Sequence, residues 1–423
     1  MFFPTQNKKS WRGGRMKKKV SLFVFIGAIA LSLLLLFLNI EFLNVYSLPN
    51  SLPMSYSDVE HLNENKVFGK NISAGLEEKF VNVGGEKLSV KKLVFKLFGL
   101  IPIRTIEAKL TDEKEVFLGG APIGFSIDVD GLIVVGSNSV STEKGLIDNL
   151  EKSDLKIGDI ITEVNGKKVT NLEELKEILD AEDYKGEELN LKVLRKQEYI
   201  NINLKTALDK EDGKYKIGLW VKNDASGVGT LTYVECDTLN YGALGHPITD
   251  YETGVVIPAK SGKIYPCSVV GLNKGEKGVP GEIKGVFMQG KSQKGDVEKN
   301  SQFGVFGKIK DKDKIVDSNK TADVASRLTM KPGKATLVSS ISGMSEEYEI
   351  EIIKTNYQPS SSDKSFVFRV TDKRLLDLTG GIIQGMSGSP IMQNGKVVGA
   401  VTHVFVSDPT KGYGVYIDWM MSA

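Results

Sequence analysis

The chain has 423 residues, enough for two or three domains with cores of their own, and 41% hydrophobic with 26% charged residues describes a folded protein. Its net charge of +2 is uneven: residues 1–40 hold seven basic side chains and no acidic one, while the rest carries 48 basic against 53 acidic, which argues against a nucleic-acid-binding body. Two cysteines exclude a disulfide-rich scaffold and a zinc ribbon, and three histidines without an HExxH leave little for a histidine metal site.

Residues 1–19 are a basic tip, and Val20 to Leu38 follow as nineteen residues without a charge. At about 1.5 Å per residue, that run nearly spans a hydrocarbon core of roughly 30 Å. A transmembrane anchor is therefore predicted at 20–40. The positive-inside rule puts the N-terminus in the cytoplasm and residues 41–423 outside. A cleaved secretory signal is the competing reading. Its apolar part is usually shorter and ends at small residues, whereas Asn39-Ile40-Glu41-Phe42-Leu43 follows here. Residues 41–75, with Pro49 and Pro53, read as an irregular, exposed tether and the place for a proteolytic cut. Loose alternation over 76–115 predicts short strands.

Segment 116–205 has a distinctive order. Pro122-Ile123-Gly124-Phe125 leads to the apolar run Leu132-Ile133-Val134-Val135, then to LKIGDIITEVNGKKV over 155–169. Asn165-Gly166 is a two-residue hairpin turn, Asn171 caps a helix from Leu172 to Leu179, and a strand from Leu189 to Leu194 closes the unit. This stretch resembles a PDZ domain of the bacterial protease-associated type. The resemblance puts the carboxylate-binding loop at Pro122, Ile123, Gly124 and Phe125, beside a strand edge that accepts a peptide. A β-domain serving only as a spacer is the plainer alternative.

From 206 to 423 the chain is strand-rich and punctuated by glycine. Its sharpest signal is Gly385-Met386-Ser387-Gly388-Ser389-Pro390. A serine nucleophile needs a tight turn that exposes Oγ and N–H groups that converge on an oxyanion. Ser387 fits as nucleophile, with the N–H groups of Gly385 and Ser387 as donors. The following strand and the closing Gly412-Tyr413-Gly414 segment are similar to chymotrypsin-like proteases. The base must be one of His61, His246 and His403. His246, in a glycine-flanked turn ahead of the serine, is preferred, and His403 inside a strand reads as structural. For the orienting acid, Asp224, Asp237, Asp250 and Asp372 stay open. Cys236 and Cys267 lack a nucleophile's context, and whether they pair is open.

Several long strings in fixed order resemble the SpoIVB peptidase family of spore-forming bacteria: GVGTLTY at 227–233, YGALGHPITD at 241–250, GVPGEIKGVF at 278–287, GMSGSP at 385–390 and THVFVSDPTKGYGVYIDWM at 402–420. Lys222-Asn223-Asp224 departs from the family's more typical arginine-aspartate pair, away from the candidate residues. The resemblance implies a mainly β chain: one transmembrane helix, a PDZ domain and a chymotrypsin-like double β-barrel. It implies a serine endopeptidase with His246 as base, Ser387 as nucleophile and Asp372 as orienting acid, and with no metal or organic cofactor. It further implies self-cleavage near the N-terminus, then cleavage of a membrane-bound regulator of an intramembrane protease, a sporulation sigma-factor checkpoint. The body is then expected between the forespore and mother-cell membranes. An HtrA-type quality-control protease and an anchored PDZ adaptor with an inert protease-like domain are the alternatives.

Overall fold

A computed structural model describes residues 24–29, 32, 45–64, 68, 71–83, 86–181, 183–196, 198–250, 253–288, 292–313, 315–356 and 360–423. The basic tip lies outside the described residues, as does most of the anchor predicted at 20–40, of which only 24–29 and 32 are described, as helix. Among the described residues no helix is long and apolar enough to cross a membrane. The chain divides into two compact units, Met1–Thr111 with Tyr357–Ser360, and Asp112–Asn356 with Ser361–Ala423.

The first unit holds a four-stranded sheet in the order Ser51–Met54, Ile101–Leu110, Glu86–Leu97, Ile72–Val83, the first pair parallel and the others antiparallel. The strand Ser51–Met54 and the helix Tyr56–Glu64 replace much of the irregular tether expected at 41–75. The reason is local: Leu52 and Met54 alternate into the core, and Ser55 and Asp58 exchange backbone-to-side-chain hydrogen bonds of 2.8 and 3.2 Å, a capping box that starts the helix.

In the second unit two long strands, Pro122–Ser137 and Leu219–Glu235, run antiparallel from Pro122↔Thr230 to Leu219↔Ser137. Their near halves join Ala259–Pro266, Gly295–Ser301, Gly304–Ile309 and Asn240–Ala243 in a closed six-stranded barrel. Ile123, Phe125, Leu231, Ile264 and Val297 fill it. Their far halves continue into a smaller sheet with Ile160–Val164, Leu189–Arg195 and Glu198–Leu204. There Asn165 and Gly166 turn with φ of 50° and 77°, and Asn171 caps Leu172–Leu179 by accepting from Glu174 N at 2.8 Å, both as the sequence predicts.

A second barrel closes through Gly333–Ser339, Glu346–Thr355, Phe366–Val370, Lys411–Tyr416, Lys396–Val404 and Pro390–Gln393. Leu337, Ile350, Phe366, Phe368, Val398 and Val401 form its core. The whole is mainly β, with a double barrel of the chymotrypsin-like kind and a PDZ-like sheet grown on the first barrel's own strands.

Pro122, Ile123, Gly124 and Phe125 do not form a carboxylate-binding loop. They are strand residues paired on one side with Gly227–Thr230 and, from Ile123 to Phe125, on the other with Ile264–Pro266, and Ile123 and Phe125 are buried. Local alternation shows a strand but not which sheet receives it, and a strand paired on both sides offers no edge to a peptide. The free edge lies elsewhere. Among the described residues no strand pairs with the outer side of Leu219–Lys222. A groove of about 560 Å³ runs there between Gly218, Leu219 and Trp220 and the Leu172, Leu175 and Leu179 face of the helix.

Candidate active site

Ser387 lies in the loop that enters the second barrel at Pro390, between Gly385 at φ 96° and Gly388 at φ 98°. Both angles favour glycine, and at Gly388 a Cβ would also sit 2.1 Å from Thr230 O and 2.5 Å from Leu244 N. The turn is thereby pressed onto the first barrel's backbone. The N–H groups of Met386, Gly388 and Ser389 donate to Ile383, Val401 and Met386 carbonyls, whereas those of Gly385 and Ser387 have no protein acceptor among the described residues. Their peptide planes are held from behind, because the Gln384 carbonyl accepts from Ile283 N at 2.8 Å and the Met386 carbonyl from Ser389 N at 2.9 Å. A trans peptide points N–H and C=O in opposite directions, so both free N–H groups face away from these anchors. Two unengaged donors on alternate residues around a serine are what an oxyanion site requires.

His246 follows the first-barrel strand Asn240–Ala243 through a strained turn, with Leu244 at φ 71° and Gly245 at φ 70°. Its Nδ1 lies 2.9 Å from the Pro247 carbonyl. A carbonyl can only accept, so Nδ1 carries the proton and Nε2 is left as the basic nitrogen. Burial holds this imidazole below the ordinary histidine range, countered in part by the Pro247 carbonyl and the charge of Asp363.

His403, read from the sequence as a structural strand histidine, stands with its ring centroid 5.3 Å from that of His246. Its Nε2 is 3.8 Å from Asp363 Oδ2, and burial, with His246 beside it, depresses its pKa as well. The residue before it receives the nucleophile: Ser387 Oγ donates to the Thr402 carbonyl at 2.8 Å, and Thr402 Oγ1 donates to the Asp363 carbonyl at 2.8 Å. Ser387, His246, His403 and Asp363 therefore meet where the two barrels face each other.

Asp372 stands apart from this group. It caps the helix Lys373–Thr379, and its carboxylate accepts from Arg374 at 2.8 to 3.1 Å and from Glu349 N at 3.2 Å. The hydrogen bonds from Arg374 hold it below the usual carboxylate range. Asp363 and Asp372 flank opposite ends of the strand Phe366–Val370, so only one can serve a site at either end. Of the other acids weighed, Asp250 is buried against Lys222 at 2.5 Å and Thr253. Cys236 and Cys267 are free thiols. Sequence reasoning missed Asp363 because a lone aspartate in a Ser-rich loop carries no local signal.

Residues 213–421 match the family model described as SpoIVB peptidase S55, and residues 138–206 match that of a PDZ domain. The PDZ match begins after the barrel half of the strand Pro122–Ser137, in agreement with the place of Pro122 to Phe125 in the fold. No curated protein matches the chain. With a glycine-bounded serine, a half-buried imidazole and two free N–H groups between two six-stranded barrels, the chain belongs to the SpoIVB S55 family as a PDZ-containing serine peptidase.

Proposed function

We propose that this peptidase is a membrane-anchored signalling endopeptidase that first cuts its own N-terminal segment and then a membrane-bound protein regulator of an intramembrane protease. The observation that carries its chemistry is the turn at Ser387, whose Gly385 and Ser387 N–H groups have no acceptor among the described residues, together with a His246 whose Nδ1 is bound to the Pro247 carbonyl and whose Nε2 is left basic. In this mechanism the Ser387 hydroxyl leaves the Thr402 carbonyl by a χ1 rotation and gives its proton to His246 Nε2 as Oγ attacks the peptide carbonyl. The oxyanion is received by the two N–H groups, and the imidazolium returns its proton to the leaving amine. Water then hydrolyses the acyl-enzyme by the same base.

For the third member, the family resemblance and the geometry part. The resemblance gives Asp372, whose carboxylate is engaged by Arg374 and Glu349. The geometry favours Asp363, whose Oδ2 lies 3.8 Å from His403 Nε2 and whose charge raises the pKa of both imidazoles. Asp363 is therefore taken as the charge that stabilises the imidazolium, and Asp372 as the buttress of the helix Lys373–Thr379.

The anchor at 20–40, with its basic flank, supports a single-pass protein with a cytoplasmic N-terminus and an exported body. In a sporulating cell that space lies between the forespore and mother-cell membranes. The groove between Leu219–Lys222 and the helix Leu172–Leu179 is the proposed peptide-binding edge, for the chain's own N-terminal segment or a substrate tail. The test is intact mass over time of the full chain in lipid vesicles, wild type beside Ser387→Ala. N-terminal trimming confined to the wild type is expected, and equal trimming in both overturns the assignment.

A further inference from the structure

The nucleophile turn and the histidine turn belong to different barrels, so something must hold them in register. The long strand Leu219–Glu235 supplies it at a single residue, Thr230, which is 2% exposed. Its backbone N–H donates to the Ser387 carbonyl at 3.0 Å, and its own carbonyl accepts from Leu244 N at 3.1 Å, two residues before His246. Its hydroxyl donates to the Gly385 carbonyl at 2.7 Å.

We infer that Thr230 is a positioning residue of the catalytic turn, its hydroxyl fixing the Gly385–Met386 peptide so that the Gly385 and Ser387 N–H groups point to one oxyanion position. The Gln384 carbonyl is fixed by Ile283 N, which orients the Gly385 N–H on one side of Cα. The Gly385 carbonyl on the other side has the Thr230 hydroxyl as its partner. Gly385 at φ 96° has the conformational freedom that permits a peptide flip, and the hydroxyl at the carbonyl, with the Met386 N–H bound to the Ile383 carbonyl at 3.1 Å on the same peptide, removes it. With the Ser387 carbonyl held by Thr230 N, the three-residue turn is clamped at both ends by one residue. The inference rests on the reading of Ser387 as nucleophile.

Thr230→Val keeps shape and both backbone bonds and removes only the hydroxyl. In the full chain, kcat on a peptide substrate is expected to fall by about 10²-fold with KM changed by less than about threefold, because a misplaced oxyanion donor acts on the transition state. Affinity for a peptide boronate should fall in parallel with kcat, while affinity for an unreactive substrate analogue stays. Thr230→Ser, which restores the donor, should stay within about threefold of wild type. A Thr230→Val protein with wild-type kcat, or equal damage in Thr230→Val and Thr230→Ser, overturns the inference. If Thr230→Val yields no folded protein, Thr230→Ala assayed at reduced temperature carries the same expectation, and wild-type kcat in it overturns the inference equally. Ser387→Ala, run alongside, separates the two levels. Hydrolysis surviving in Ser387→Ala refutes the nucleophile assignment, whereas an inactive Ser387→Ala beside an unimpaired Thr230→Val refutes the role of Thr230 alone.

Discussion

Two serines two residues apart give a test in which activity and stability move in opposite senses. Ser387 is partly exposed and its hydroxyl donates to the Thr402 carbonyl at 2.8 Å. Ser389 is fully buried, and its Oγ has no hydrogen-bond partner among the described residues. Ser387→Ala forfeits one neutral hydrogen bond, about 0.5–1.5 kcal/mol. In a body of this size that lowers the melting midpoint by only a few degrees, at about 2–4 °C per kcal/mol. Ser389→Ala removes a hydroxyl desolvated without compensation, a penalty of about 1–3 kcal/mol, offset by the loss of one atom's packing, so its midpoint should hold or rise. Peptide hydrolysis should order them the other way. Ser387→Ala should lose about 10⁴-fold or more, and Ser389→Ala should stay within about tenfold of wild type. Thermal denaturation and initial rates on the same preparations suffice. Equal activity loss from both folded variants would refute the nucleophile assignment, and a markedly destabilised Ser389→Ala would refute the account of its buried hydroxyl.

Further outcomes follow from the same geometry. With His246 depressed by burial, the acid limb of kcat/KM should titrate below the ordinary histidine value of about 6.5. Asp363 raises the His246 pKa, so Asp363→Asn should move that limb to still lower pH and reduce the rate, whereas Asp372→Asn should lower the melting midpoint and leave the limb in place. The reverse pattern would return the orienting role to Asp372. Gly388→Ala should abolish active protein, since its Cβ meets two backbone atoms. Gly395→Ala, at φ 76° with nothing within 4 Å among the described residues, should cost only about 1–2 kcal/mol of conformational strain. Phosphonate labelling and soluble yield compare the two, and similar behaviour would contradict the steric argument.

What was legible in the sequence was mostly short-range. Asn165-Gly166 and Asn171 act through bonds that span a few residues, and the structure has both where the sequence puts them. The turn at Ser387 and the turn at His246 were visible because glycine marks backbone that other residues avoid. Pro122 to Phe125 were read as a carboxylate-binding loop and are instead a strand of the first barrel, because the partners that pair with them, Val228 and Ile264, lie far off in sequence. The helix Tyr56–Glu64 did carry a local signal, the Ser55 to Asp58 spacing, masked by a proline-bearing, polar neighbourhood. Thr230 sat inside the GVGTLTY string, yet its bond to Gly385 spans 155 residues and no pattern announces it.

The two long strands shared between the PDZ-like sheet and the first barrel have a consequence for dissecting the protein. Removing residues 138–206 would leave the far half of Pro122–Ser137 without Ile160–Val164, and Leu219–Trp220 without the helix across the groove, both on strands that continue unbroken into the catalytic barrel. Orphaned strand ends of this kind fray and recruit other chains. A silent deletion protein therefore reports a damaged barrel as readily as a lost ligand. The contribution of peptide capture is accessible only to substitutions at exposed residues of the groove wall that spare the core and the ladder, such as Leu172→Asp or Trp220→Ala, or to a competing peptide added to the intact chain.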